Sequence, residues 1–170
     1  MSKNDGGWSK IKVFPKQMMG KLASVHIPFL KKRVQRGLDY RGKTFKKYDP
    51  NYAEYKASRF KSKKTGKRIP SMAHKKISST RIHPPDLTVT GDMLMNLTRK
   101  RYDTKMYQIG FTGEEADKAE YNEKNGRIMY KDDPGGIPKR ERKFLINYLN
   151  RQMKKQFKMK LRNVNITIGK

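Results

Sequence analysis

The sequence predicts an α+β fold, with an antiparallel or mixed sheet flanked by helices in a single domain. Three observations carry that expectation. Apolar residues recur close to a 3.6-residue period over 16–38 and again over 141–159; they alternate with polar residues at Tyr107, Ile109 and Phe111 and at Val164, Ile166 and Ile168; and 170 residues suffice for one core. That core is small. Leu, Ile, Val and Phe together number 32, about 19% of the chain, near the roughly 20% below which a highly charged chain is expected to be disordered. With a formal net charge of +27 and mean hydropathy of -1.01, the expectation is a marginal fold completed against partners, acidic ones in particular.

Residues 1–15 read as an N-terminal arm with one aromatic anchor, Trp8, which packs on the body or on a neighbour. The single α+β domain spans 16–170. It opens with a helix over 16–38, kinked or restarted at Pro28. Asp39 to Lys43 form a turn, 44–48 a short extended piece, and Asp49-Pro50 starts a helix carrying Tyr52, Ala53, Tyr55 and Phe60. Over 56–81 there are ten Lys and Arg and no acid. Such a stretch cannot pack a core, so 56–85 reads as an extended basic loop or protruding hairpin, closed by Pro84-Pro85.

Thr90 N-caps a helix to Leu97, with Asp92 favourable in its first turn. A hairpin follows, pairing 97–103 with 107–111. Residues 114–124 hold five acids and two lysines, net -3, the acidic patch of the chain, read as a solvated helix face. Residues 132–136 form a loop. The strongest helix, 141–159, puts Phe144, Leu145, Tyr148, Leu149, Met153 and Phe157 on one face, and 163–168 form a terminal strand. Phe144, Leu145, Tyr148 and Leu149 are expected in the core or at a subunit seam.

Zero cysteines remove disulfides, thiol nucleophiles and cysteine-based zinc sites. No apolar run approaches the length of a membrane span, and the polar start is unlike a signal peptide. His26, His74 and His83 lack metal-ligand spacing. No nucleophile elbow, phosphate-cradling Gly loop or dinucleotide fingerprint occurs. The expectation is a protein that is not an enzyme and takes no cofactor. Lys61, Lys63, Lys64, Lys67, Arg68, Lys75 and Lys76 form the candidate contact for DNA phosphates or an acidic partner, since either would neutralise their repulsion and release counterions. Aromatics interleaved there are few, so any nucleic-acid contact is expected to be independent of base sequence. Glu115 and Glu120, with Trp8, are the candidate subunit interface, the acids meeting a basic surface on the next subunit or ring.

The order of four motifs resembles the phage virion morphogenesis or tail completion proteins that join head to tail. Members open with an apolar helix and a D-x-x-G-K-x-aromatic turn; here the turn is Asp39-Tyr40-Arg41-Gly42-Lys43-Thr44-Phe45, followed by Tyr52 and Lys56. Leu87-Thr88-Val89-Thr90-Gly91-Asp92-Met93 matches the element before the family's hairpin, and Tyr107-Gln108-Ile109-Gly110 its second strand. Ala119-Glu120-Tyr121-Asn122, with Gly126, and Ile137-Pro138-Lys139-Arg140, leading to Phe144-Leu145, follow in the family's order. Asn122 stands where the family commonly has His, and 61–81 is longer than usual.

The resemblance implies a structural virion protein: a tail completion, terminator or neck ring subunit at the head-to-tail junction, made in the host cytoplasm. Its implied partners are further copies in a hexameric ring, neighbouring connector and tail proteins, and packaged DNA in the lumen. The alternative, favoured by a pI near 10.3, is a ribosomal or other sequence-independent nucleic-acid-binding protein.

Overall fold

Helix α1 (Lys16–Gln35) is the element around which the rest is arranged. The structure, a computed structural model, describes residues 16–104, 106–131 and 136–162, with side chains through 156. Along α1 come α2 (Pro50–Ala57), a short 3-10 turn at Pro70–Met72, α3 (Asp92–Met95), strands β1 (Thr98–Tyr102) and β2 (Tyr107–Gly110), α4 (Glu114–Lys124) and α5 (Lys139–Arg162). Among the described residues this is an α+β protein with five α-helices and one two-stranded antiparallel sheet.

α1 runs through Pro28 as one continuous helix, so of the expected kink or restart the restart does not occur. Pro28 is exposed, so the carbonyl that loses its donor one turn earlier has access to water and the helix continues. The helix ends where Gly37 takes φ 83°. The Gly37 amide donates to Val34 O at 2.8 Å and the Leu38 amide to Arg33 O at 3.2 Å, the bonding pattern of a Schellman cap. A Cβ at position 37 would lie 2.7 Å from Pro84 Cβ and 2.8 Å from Pro85 O. Glycine here both turns the chain and lets the Pro84-Pro85 segment close onto α1.

α1 divides the apolar interior. Leu30 and Val34, fully buried, gather Phe45, Tyr48, Leu87 and Leu94 on one side. Met19 and Leu22 meet Leu145 of α5 on the other, with Phe144, Tyr148, Tyr102 and Tyr107 packed around them. Gly20 admits β1: a Cβ there would sit 3.0 Å from the Arg99 guanidinium and the Tyr102 ring.

The hairpin forms as expected, with Thr98 opposite Gly110, Tyr102 opposite Tyr107 and a bulge between Arg99 and Arg101. Residues 44–48 are extended but add no strand, because their pairing is limited to one bridge between Leu38 and Thr44. Nor does the basic segment make a hairpin of strands: it has a single bridge, Lys61 to Arg68, and is otherwise irregular and largely exposed.

Helix α2 starts as expected, its amides at Asn51 and Tyr52 donating to the Asp49 side chain. It stops before Phe60, because Arg59 and Phe60 both take left-handed φ values of 58° and 59° and Phe60 turns back into the interior. α3 is a single turn capped by Gly91 rather than Thr90, whose hydroxyl only accepts weakly from the Asp92 amide at 3.4 Å. Trp8, most of the 132–136 loop and the 163–168 strand lie outside the described residues.

Candidate functional site

A cleft of about 510 Å³ opens between α2, α4 and the chain from Met72 to Met93. Asp49 caps α2 and so places Tyr52 on the wall of the cleft; Tyr48 lies just before the cap and Phe60 just beyond the helix. Tyr48 and Tyr52 meet edge to face at 5.0 Å, and Tyr52 and Phe60 at 6.1 Å. Met72, Leu87 and Met93 complete the apolar surface. The facing wall is α4, which presents Glu115, Lys118, Tyr121 and Asn122 at helical spacing. Tyr121, 65% exposed, marks the rim.

The α2 wall is anchored from behind by a buried ion pair. Lys56 is 0% exposed and its Nζ donates to Asp86 Oδ1 at 2.5 Å and to the Tyr48 hydroxyl at 3.3 Å. Asp86 also accepts from the Thr88 amide at 3.1 Å and from the Ser79 hydroxyl, while the Leu87 amide donates to the Tyr48 hydroxyl at 3.0 Å. Burial pushes the Lys56 ammonium below its ordinary pKa against the pull of Asp86. Burial, reinforced by the Asp86 charge, raises the Tyr48 phenol far above its own. Burial raises Tyr52 as well. Both phenols are therefore neutral hydrogen-bonding groups at physiological pH.

The α4 wall carries the unusual atom. Glu115 is 8% exposed, not solvated as its acidic neighbours are. Its Oε1 accepts from Lys118 Nζ at 2.6 Å, and this bond raises the lysine's pKa. Its Oε2 is buried without a hydrogen-bond partner. Arg127, which lines the cleft together with Lys75 and Lys118, is held elsewhere: Nε donates to Asn122 Oδ1 at 3.0 Å, Nη1 to Lys47 O at 3.3 Å, and the guanidinium lies 5.2 Å from the Tyr48 ring centre.

A second buried network ties α1 to α5. Arg33 Nε donates to Glu141 Oε1 at 2.6 Å and Nη2 to Met129 O at 2.8 Å. Glu141 Oε2 lies 3.4 Å from His26 Nε2, and His26 Nδ1 is hydrogen-bonded to the Tyr107 hydroxyl at 3.0 Å. Burial alone would raise Glu141, but the His26 hydrogen bond and the Arg33 charge outweigh it and hold the carboxyl below its ordinary range. Tyr107 is pushed up to about 12 by burial and by the Glu141 charge.

The residues expected to form one basic site are only partly brought together. Lys61, Lys63, Lys64, Lys67 and Lys76 are exposed along the irregular loop. Lys63 pairs with Glu54 at 2.6 Å, both well exposed, and Arg68 Nη1 donates to Lys75 O at 3.0 Å. Lys75 joins the cleft. Lys56, although part of the same basic run, leaves it for the interior. Of the two expected interface acids, Glu115 enters the cleft, while Glu120 stays on the outer face of α4, paired with Lys124 at 2.6 Å, beside a smaller pocket of about 220 Å³. Leu145 is buried, Phe144 and Tyr148 are packed against it, and Leu149 is half-buried.

The aromatic wall and the two ion networks were missed from sequence. The spacing of Tyr48, Tyr52 and Lys56 at four-residue intervals around the Asp49 cap was the available signal for the first. Nothing local announced that Asp86 or Glu141 would meet its partner. Among the described residues no three His, Asp or Glu side chains converge as a metal set, and no helix is long and apolar enough to cross a membrane. Comparison with known proteins returned no matching family model, curated protein or solved structure.

Proposed function

We propose that this chain is a structural assembly subunit, and, on the resemblance of its motif order, one that serves as a tail completion or neck ring subunit at the head-to-tail junction of a tailed bacteriophage. One observation carries the assembly reading. On a chain of net charge +27, the acidic helix α4 stands beside an open apolar and aromatic cleft, and one of its carboxylates is buried there with an unmet acceptor. A surface that sets the acidic helix α4 on an otherwise basic exterior is complementary to itself, and complementary charge sets encounter rate and register. Large apolar side chains left outside the two clusters, Met95 at 76% exposure and Ile146 at 50% among them, supply further area for contact.

The test is the mass of the purified protein by native mass spectrometry and sedimentation velocity, with nucleic acid assayed in the same sample. A closed oligomer is expected, a hexamer by the resemblance. A monomer at every concentration would defeat the assembly reading. Association with nucleic acid in place of self-association would favour the second reading, a sequence-independent nucleic-acid-binding protein, to which the exposed lysines at 61, 63, 64, 67 and 76 lend weight.

A further inference from the structure

Helices α1 and α5 share an outer face that carries cations and no acid. They lie antiparallel, with Arg33 bonded to Glu141 and the Phe29 ring 4.2 Å from that of Phe144. α1 contains no Asp or Glu, and the one acid of α5 is Glu141, 7% exposed and turned inward onto Arg33 and His26. Phe29, 39% exposed, and half-buried Phe144 mark where the seam between the two helices reaches the surface.

Helical spacing identifies the side chains that flank this seam, because residues three, four or seven apart share a face. On α1, Lys32 and Arg36 follow Phe29 by three and seven residues, and Lys21 precedes it by eight. On α5, Arg140 precedes Phe144 by four, and Arg151 and Lys155 follow it by seven and eleven. All six are exposed, and among the described residues none of them is ion-paired. The spacing is the same on both helices: eleven residues from Lys21 to Lys32 and from Arg140 to Arg151, then four more to Arg36 and to Lys155.

Antiparallel packing runs the two repeats in opposite directions. Lys32 and Arg36 therefore come beside Arg140, and Lys21 beside Arg151 and Lys155. Each end of the face holds three cations, and the seam between them, at Val25, Phe29, Phe144 and Asn147, is uncharged. The ends stand about 16 Å apart, eleven residues at helical rise. That is close to the span of a major groove, about 12 Å wide, with a phosphate on each bank.

We infer that the outer face of α1 and α5 binds the phosphate backbone of double-stranded nucleic acid, one triplet of cations on each bank of a groove. A polyphosphate presents closely spaced anions with no cation among them, the complement of a face with cations and no acid, and binding releases its counterions. A second copy is the poorer match to this face, because α4 interleaves Lys118 and Lys124 with its acids and pairs them with Glu115 and Glu120. The loop over 61–76 is also less suited: Lys63 is taken up by Glu54, and an irregular segment has more freedom to lose on binding than cations fixed along two helices. The inference stands apart from the self-assembly proposed above, since ring subunit and monomer present the same face.

The test is fluorescence anisotropy of the full-length chain on a labelled duplex, titrated over a range of KCl concentrations. One variant combines Lys32→Gln, Arg36→Gln and Arg140→Gln; a charge-matched variant combines Lys61→Gln, Lys64→Gln and Lys67→Gln in the loop, and circular dichroism checks that both keep the fold. The helix-face variant is expected to bind about ten-fold or more weaker at low salt and to flatten the logarithmic salt slope by about 2 to 3, at roughly 0.9 per phosphate contact. The loop variant should leave the slope within about 0.5 of the parent's, and duplexes of unrelated sequence should give the same result. Equal losses in the two variants would reduce the effect to net charge and overturn the inference, as would a loss confined to the loop variant. A parent chain that binds polyglutamate but not duplex would overturn it in favour of an acidic protein partner. Sedimentation velocity on the same proteins separates this inference from the assembly reading. A monomer whose DNA binding depends on the helix face defeats assembly alone, and an oligomer whose DNA binding ignores that face defeats this inference alone.

Discussion

Lys56 Nζ lies 2.5 Å from Asp86 Oδ1, with the lysine wholly buried and the aspartate 4% exposed. Thirty residues separate them, and the pair joins α2 to the segment that follows the basic loop. Two charges out of water offset their desolvation only when their remaining hydrogen-bonding capacity is met, which Tyr48, Ser79 and Thr88 do here. The pair thus fixes the aromatic wall of the cleft from behind.

Lys56→Met is therefore expected to cost about 3 to 5 kcal/mol in urea unfolding, because it removes the buried cation and leaves Asp86 with only the half-exposed Arg81 guanidinium 3.8 Å away. Adding Asp86→Asn should recover part of that loss. A single-variant loss under about 1 kcal/mol would mean that the carboxylate has another route to compensation.

Glu141 gives an acid limb to stability. Its folded pKa is held below the ordinary 4.5 by His26 and Arg33 against the opposing effect of burial, so its contribution is full above pH 4.5 and is lost as pH falls through the folded value. Unfolding midpoints of the parent and of Glu141→Gln should differ most near neutrality and converge on acidification. A difference constant from pH 6 to pH 3 would contradict this account.

Leu145 is the buried α5 residue of the second cluster, against Met19 and Leu22. Leu145→Ala is expected to destabilise by about 2 to 5 kcal/mol, the range for a packed leucine replaced by alanine. A loss below about 0.5 kcal/mol in denaturant titration, with assembly intact, would show that α5 does not rely on this packing.

Replacing Lys63, Lys64, Lys67 and Arg68 together with Ser should leave the fold intact, since the side chains are largely exposed and the Lys63–Glu54 pair is a surface one. If DNA meets this loop, the logarithmic salt dependence of binding should flatten by about 0.9 for each phosphate contact removed. An unchanged slope would remove DNA as the loop's partner.

The sequence by itself determined the local elements. The Asp49-Pro50 start of α2, the Asp39 to Lys43 turn, the β1–β2 hairpin, acidic α4 and the apolar face of α5 each depend on residues within a turn or two, so period, capping and turn chemistry reveal them. The irregular course of the basic segment was legible for the same reason: with little apolar surface it has nothing local to fold around.

Tertiary structure decided which charges leave the surface. Lys56 and Glu115 have the composition of solvated residues, and Glu141 opens a basic helix, yet Lys56 and Glu141 are buried against partners 30 and 108 residues away, Asp86 and Arg33. Glu115 is buried because α4 packs toward α3 and the cleft. Pro28 and Arg59 follow the same logic: a proline facing solvent leaves α1 unbroken, and a left-handed Arg59 is accepted because it returns Phe60 to the interior. Burial of a charge or an unfavoured backbone angle is stable only when distant parts of the chain supply the compensating bond or contact, and a local pattern carries no record of which distant parts will meet.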